Sequence, residues 1–110
     1  MVRETLRPDA KHAFALVSSA KGIALQYRAA TAGASAQAAM TAGTAPAWLK
    51  LTRRGSLLSA YTRTDAGSWQ SLGNATIAMS SSVYVGIAVT SHDASRAATV
   101  SVSGVRLTKY

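Results

Sequence analysis

The stretch Trp48-Leu-Lys-Leu-Thr-Arg-Arg-Gly55, followed by Ser56-Leu-Leu-Ser-Ala-Tyr-Thr62, decides the fold class. Leu49 and Leu51 fall on one side of an extended chain, and Trp48, Lys50 and Thr52 fall on the other. That period of two belongs to a half-buried strand. Arg54-Gly55 supplies a tight reversal, and residues 56–62 return as the hairpin partner. Leu49 and Leu51 therefore point to a core, while Trp48 and Lys50 point away from it.

The same rhythm extends in both directions. Upstream, Met1 to Leu6 reads as a short extended piece ended by Arg7-Pro8-Asp9. His12 to Ser18 alternates His12, Phe14 and Leu16 with smaller residues, and Ser18 to Gly22 forms a turn. Ile23 to Arg28 follows, with Ile23, Leu25 and Tyr27 on one face and Gln26 and Arg28 on the other. Residues 29–46 are rich in Ala, Gly, Ser and Thr and lack the large apolar side chains that would anchor a helix. They are expected to form a long loop with a weak strand from Ser35 to Met40. Downstream, a turn at Thr64 to Ser68 leads into Trp69 to Leu72, and Gly73-Asn74 is expected to break the chain before Thr76 to Met79. Val83-Tyr-Val-Gly-Ile-Ala-Val89 carries the strongest strand signal, with β-branched residues at odd positions. His92 to Arg96 is a polar loop. Ala98 to Leu107 closes the pattern, with a change of parity at Ser103-Gly104 that suggests a bulge. Many short strands separated by turn residues predict an all-β antiparallel sandwich or barrel, residues 1–110 forming a single domain.

Composition narrows what such a domain can do. Of 53 apolar residues, 23 are alanine, which leaves 30 larger side chains for a core, seven of them aromatic. That suffices for a small sandwich and excludes a large enzyme with separate substrate and cofactor domains. The absence of cysteine excludes disulfides, thiolate metal sites and cysteine nucleophiles. No apolar run approaches the roughly 18 residues of a helical membrane span. Met1 to Lys11 places an acid and a proline where a signal peptide would carry its apolar stretch. The formal charge is +8 and the pI about 10.7.

Three pieces in order are similar to the bacterial concanavalin A-like jelly-roll domains appended to secreted proteins and glycoside hydrolases. They are Met1 to Leu6, Ala45 to Gly55, and Val83 to Asp93, with Asp65-Ala-Gly-Ser-Trp69 where such domains carry an Asp-Gly turn and a tryptophan. The resemblance spans nearly the whole chain. It implies a concanavalin A-like sandwich, an extracellular or cell-surface location, and an accessory role in carbohydrate binding or attachment. Members have several strands before the piece matching Met1 to Leu6, so the chain is expected to be the C-terminal part of such a domain, truncated at its N-terminus. Members also end with an Asp-Asn pair where this chain has Ser103-Gly104, which removes the acid to which a metal contact would be tied.

Catalysis is not expected. A glycosidase needs two carboxylates flanking one bond, and the chain has only Glu4, Asp9, Asp65 and Asp93. Asp9 and Asp65 read as turn formers, and no spacing brings Glu4 to Asp93. His92-Asp93 lacks the activated nucleophile of a triad, and His12 and His92 do not make up a metal-ligand set. No run of acids of the calcium-loop kind is present, which leaves loop carbonyls as the only conceivable ligands for a hard cation. No cofactor is expected.

Two surfaces remain. Arg53 and Arg54 with Lys50, Arg28, Arg63 and Arg3 could make a basic face for phosphates, but the chain carries no nucleic-acid motif and its arginines are scattered over most strands. The outward residues Gln26, Arg28, Trp48, Lys50, Tyr61 and Tyr84 form the expected ligand-binding set, because a pyranose offers an apolar side to a ring and hydroxyl edges to polar groups. Ser59 accompanies them, while Trp69 reads as an edge-packing residue. The competing reading packs Trp48 or Tyr61 against a neighbouring strand. A non-catalytic module binding a poly- or oligosaccharide is the first expectation. A structural module pairing through exposed sheet edges is the second, and an electrostatic polyanion or nucleic-acid binder the third. Unpaired edges further predict a homo-oligomer, with Met1 to Leu6 as the paired or exchanged segment.

Overall fold

In the computed structural model the described residues are 1–18, 21–44, 46–63, 67–88, 95 and 101–108. They contain strands and no helix. The strands are β1 (Val2–Arg3), β2 (His12–Ser18), β3 (Gly22–Arg28), β4 (Ala36–Thr41), β5 (Trp48–Arg54), β6 (Leu57–Arg63), β7 (Gln70–Thr76) and β8 (Tyr84–Val85). They form a 5-stranded sheet in the order β4-β3-β2-β1-β8 and a 3-stranded sheet in the order β5-β6-β7. Every pairing is antiparallel.

Alternation decides what lies between the two sheets. Ala13, Ile23 and Leu25 from the larger sheet meet Leu58, Ala60, Leu72 and Ala75 from the smaller one, with Val2 and Ile77 completing the cluster. Leu25, Leu58 and Ile77 are fully buried. Removing such a leucine side chain costs about 2–5 kcal/mol, since the site collapses only in part. The inner face of β2 is its small side, Ala13, Ala15 and Val17, while Phe14 and Leu16 belong to the outer row with Ala24 and Met40. Small residues on the inner face let the sheets approach closely.

The expected hairpin at 48–62 is present: β5 and β6 pair from Trp48↔Arg63 to Arg54↔Leu57, and Gly55 turns with φ 59°. The weak strand in the alanine-rich stretch is β4, which completes the edge of the larger sheet. Three expectations need correction. First, Gly73 does not break the chain. β7 runs through it with a register shift opposite Ala60 and Tyr61, and Gly73 takes φ 129° where a Cβ would stand only 2.9 Å from the Ala39 methyl of β4. The glycine is a bulge that allows β4 and β7 to touch.

Second, of the strong strand signal at 83–89 only Tyr84–Val85 is strand among the described residues 83–88. Its partner β1 sets Arg3 opposite Tyr84 and Val2 opposite Val85, and the antiparallel register then brings Gly86 beside Met1, so β1 does not reach Ile87 and Ala88. Third, residues 101–108 form no strand, and Gly104 there takes φ 62°. Residues 98–100, the Asp65 turn carboxylate, and His92, Asp93 and Arg96 of the polar loop lie outside the described residues.

β1 is also placed differently from expectation. It lies inside its sheet between β2 and β8, tied to β8 by the Met1 ammonium donating to the Gly86 carbonyl and the Gly86 amide donating to the Met1 carbonyl, both at 3.0 Å. The strands at the sheet margins are β4, β8, β5 and β7.

Candidate functional site

The outer face of the smaller sheet carries a cluster of alternating rings and cations. On β5, Trp48 and Lys50 are successive outward residues, spaced by about two strand rises of 3.4 Å. Across the ladder they oppose Arg63 and Tyr61 of β6. Trp69, the residue before β7, closes the group from the third strand. The Lys50 ammonium stands 4.5 Å from the Tyr61 ring centre and 4.7 Å from that of Trp69. The Arg63 guanidinium carbon stands 4.6 Å from the Trp48 ring centre and 4.8 Å from that of Trp69.

Each of these contacts contributes about 0.5–1 kcal/mol at an exposed site, because the negative ring face attracts the cation. Together they fix long side chains that would otherwise sample many rotamers. Trp48 and Trp69 each remain 37% exposed, so ring surface is still presented to solvent. Gly104 passes beside Trp48; a Cβ placed on it would sit 3.6 Å from Cζ3 of the indole. Next to Arg63 an open groove of about 430 Å³ runs between the ends of the two sheets, lined among others by Thr41, Thr44, Thr62, Gln70 and Arg63. Ile23, Pro46 and Ala47 beside those hydroxyl and amide groups give the groove both apolar and hydrogen-bonding character.

The expected ligand set divides between two faces. Trp48, Lys50 and Tyr61 come together as described. Gln26, Arg28 and Tyr84 belong to the outer row of the larger sheet, on the other side of the molecule. Gln26 lies between Phe14 and Gln37. Tyr84 is paired with Arg3 on the edge strand β8 and is 53% exposed. Arg28 has a structural occupation: its Nε donates to the Gly33 carbonyl at 2.9 Å, and its Nη1 donates to the carbonyls of Pro8 at 2.7 Å and Ala10 at 3.3 Å. It pins the loop after β3 to the loop before β2. A common outward parity could not show that two strands belong to different sheets.

Arg63 and Trp69 were not in the expected ligand set. Their register was the missing signal: with the hairpin turning at Gly55, Trp48 must oppose Arg63, and the next strand must bring Trp69 alongside.

Charge is dispersed, not gathered. Arg3 donates to the carbonyls of Thr5 and Arg7, and Arg53 donates to those of Gly55 and Met79. The proposed basic face of Arg3, Arg28, Arg53, Arg54, Lys50 and Arg63 is therefore split, and three of its members fasten loops. Glu4 is engaged as well, accepting from the Ser80 amide at 2.9 Å with Lys11 3.9 Å away. His12 is buried between β1 and β3 in the register, opposite Arg3 and Arg28, with Nδ1 3.4 Å from the Ala10 carbonyl. Burial pushes its pKa below the usual value of 6.5; the Ala10 contact opposes this, and the charges of Arg28 and Arg3 add to it. No group of three or more potential metal-ligating side chains occurs among the described residues.

Compared with protein-family models, curated proteins and solved structures, the chain matches none. The functional reading rests on the geometry above.

Proposed function

We propose that the protein is a non-catalytic, carbohydrate-binding accessory module of concanavalin A-like type acting outside the cell or at its surface. The observation that carries this reading is the ordered group Trp48, Arg63, Trp69, Lys50 and Tyr61 on one exposed sheet face. A sugar ring laid on an indole removes apolar surface from water, and its hydroxyls find donors and acceptors at the margin. Cations locked against the rings hold those rings in place before ligand arrives, which lowers the ordering cost of binding.

Retention on immobilised polysaccharides tests it. Trp48→Ala, Tyr61→Ala and Trp69→Ala should each weaken retention by about tenfold or more, as loss of a central aromatic anchor does, with cooperative unfolding preserved. Unchanged retention in all three overturns the site.

A second reading, pairing between chains, is favoured by a separate observation. Tyr84, Val85 and Ile87 are 53%, 55% and 62% exposed at and beyond the edge strand β8. An apolar run at an open edge invites antiparallel pairing with a second copy. Light scattering on a size-exclusion column should show a homodimer that Val85→Lys converts to monomer. A monomer at every micromolar concentration removes this reading and leaves the first intact.

A further inference from the structure

We infer that the sugar recognised on this face is acidic, its carboxylate or sulfate groups meeting Arg63 and Lys50; this rests on the carbohydrate reading above. The contrast among the arginines carries the argument. Arg3, Arg28 and Arg53 each donate to backbone carbonyls. The Arg63 guanidinium has no hydrogen-bond acceptor among the described residues, and its Nε is buried without one. A guanidinium offers five N–H donors in a fixed fork that matches a carboxylate or sulfate edge. Among the described residues the Lys50 ammonium likewise meets only ring faces.

Neither cation forms an ion pair among the described residues; the pairs of Arg7 with Asp9 and Lys11 with Glu4 lie in the connection between β1 and β2. Both cations touch the same indole, Trp69. A sugar stacked there would have a fork-shaped donor on one side and a point charge on the other. A neutral sugar offers these cations no charged partner, whereas an acidic one meets them with charge-assisted bonds in a partly desolvated site.

The test is calorimetric titration at 0.15 M salt with two matched probes: oligogalacturonate against its methyl ester, and sulfated dextran against dextran. At least one acidic form should bind tenfold or more tighter than its neutral partner. Lys50→Gln and Arg63→Gln should each reduce that preference at least threefold. Arg63→Lys should keep only part of it, since the charge remains and the fork is lost. Lys21→Gln, which lowers net charge equally on an exposed turn of the other sheet, should leave it unchanged. Equal binding of acidic and neutral forms, abolished by Trp69→Ala, overturns acid recognition and preserves the carbohydrate reading. No binding of any glycan, acidic or neutral, overturns both. Inorganic polyphosphate binding as tightly as the acidic glycan, and weakened equally by Lys21→Gln and Lys50→Gln, shows attraction by net charge alone and overturns the inference.

Discussion

Lys50 and Tyr61 are direct cross-strand partners, and the Lys50 ammonium rests 4.5 Å from the centre of the Tyr61 ring. The pair joins backbone register to surface chemistry. β5 and β6 must pair in this register for Leu51 to oppose Ala60 over the core, and the same register delivers the cation to the phenol. A double-mutant cycle with Lys50→Ala and Tyr61→Ala should give a coupling of about 0.5–1 kcal/mol in unfolding free energy. A coupling of zero in urea titrations would show that the contact is too loose to order the face.

Arg28→Ala removes three hydrogen bonds to the carbonyls of Gly33, Pro8 and Ala10. Bonds from a charged donor contribute about 1.5–3 kcal/mol each at most, and because the loops keep partial access to water the expected loss is about 2 kcal/mol in all. Arg28→Lys should recover little, since an ammonium cannot reproduce the fork. Glycan retention should be unaffected. A retention defect without a stability defect would return Arg28 to the ligand-binding set.

Gly73→Ala should destabilise the protein by about 1–3 kcal/mol from the left-handed φ alone. The new Cβ would also stand 2.9 Å from the Ala39 methyl, pressing β7 against β4. Ala39→Gly should relieve the second effect and leave the first, so the double variant should be more stable than Gly73→Ala. Equilibrium denaturation measures all three proteins.

His12 makes stability depend on pH in one direction. Its pKa is lowered on folding, so the unfolded chain binds the proton more readily. Stability from this residue is full above the unfolded value near 6.5 and is lost as pH falls below it, until the folded state also titrates. Thermal unfolding should therefore fall in midpoint between pH 7.5 and pH 5, and His12→Gln should flatten that part of the profile. An unchanged slope in His12→Gln would assign the pH dependence to the carboxylates.

Much of the fold was legible because its signals are local. The strand bounds of β2, β3, β5 and β6, the turn glycines Gly22 and Gly55, and even the weak strand β4 follow from alternation and turn chemistry within a few residues. Tyr84 to Ala88 show where local reasoning stops. Their strand propensity is strong, but a strand exists only where another backbone accepts its hydrogen bonds, and β1 offers two residues. Gly73 carries the same lesson in reverse. A residue that looks like a chain break is retained inside β7 because a methyl group from the facing sheet needs the space.

By itself the sequence determined that this is an all-β chain, that Trp48, Lys50 and Tyr61 point away from the core, and that no thiol chemistry is available. Those properties depend on composition and on a period of two, which each strand carries independently. Only the tertiary structure decided that Gln26, Arg28 and Tyr84 lie on a different face, that Arg28 is a clamp, and that Arg63 and Trp69 complete the aromatic and cationic group. The physical reason is that parity distinguishes inside from outside within one sheet but cannot say which sheet a strand joins. That is settled by backbone pairing between segments far apart in the chain, and by which apolar faces meet to exclude water.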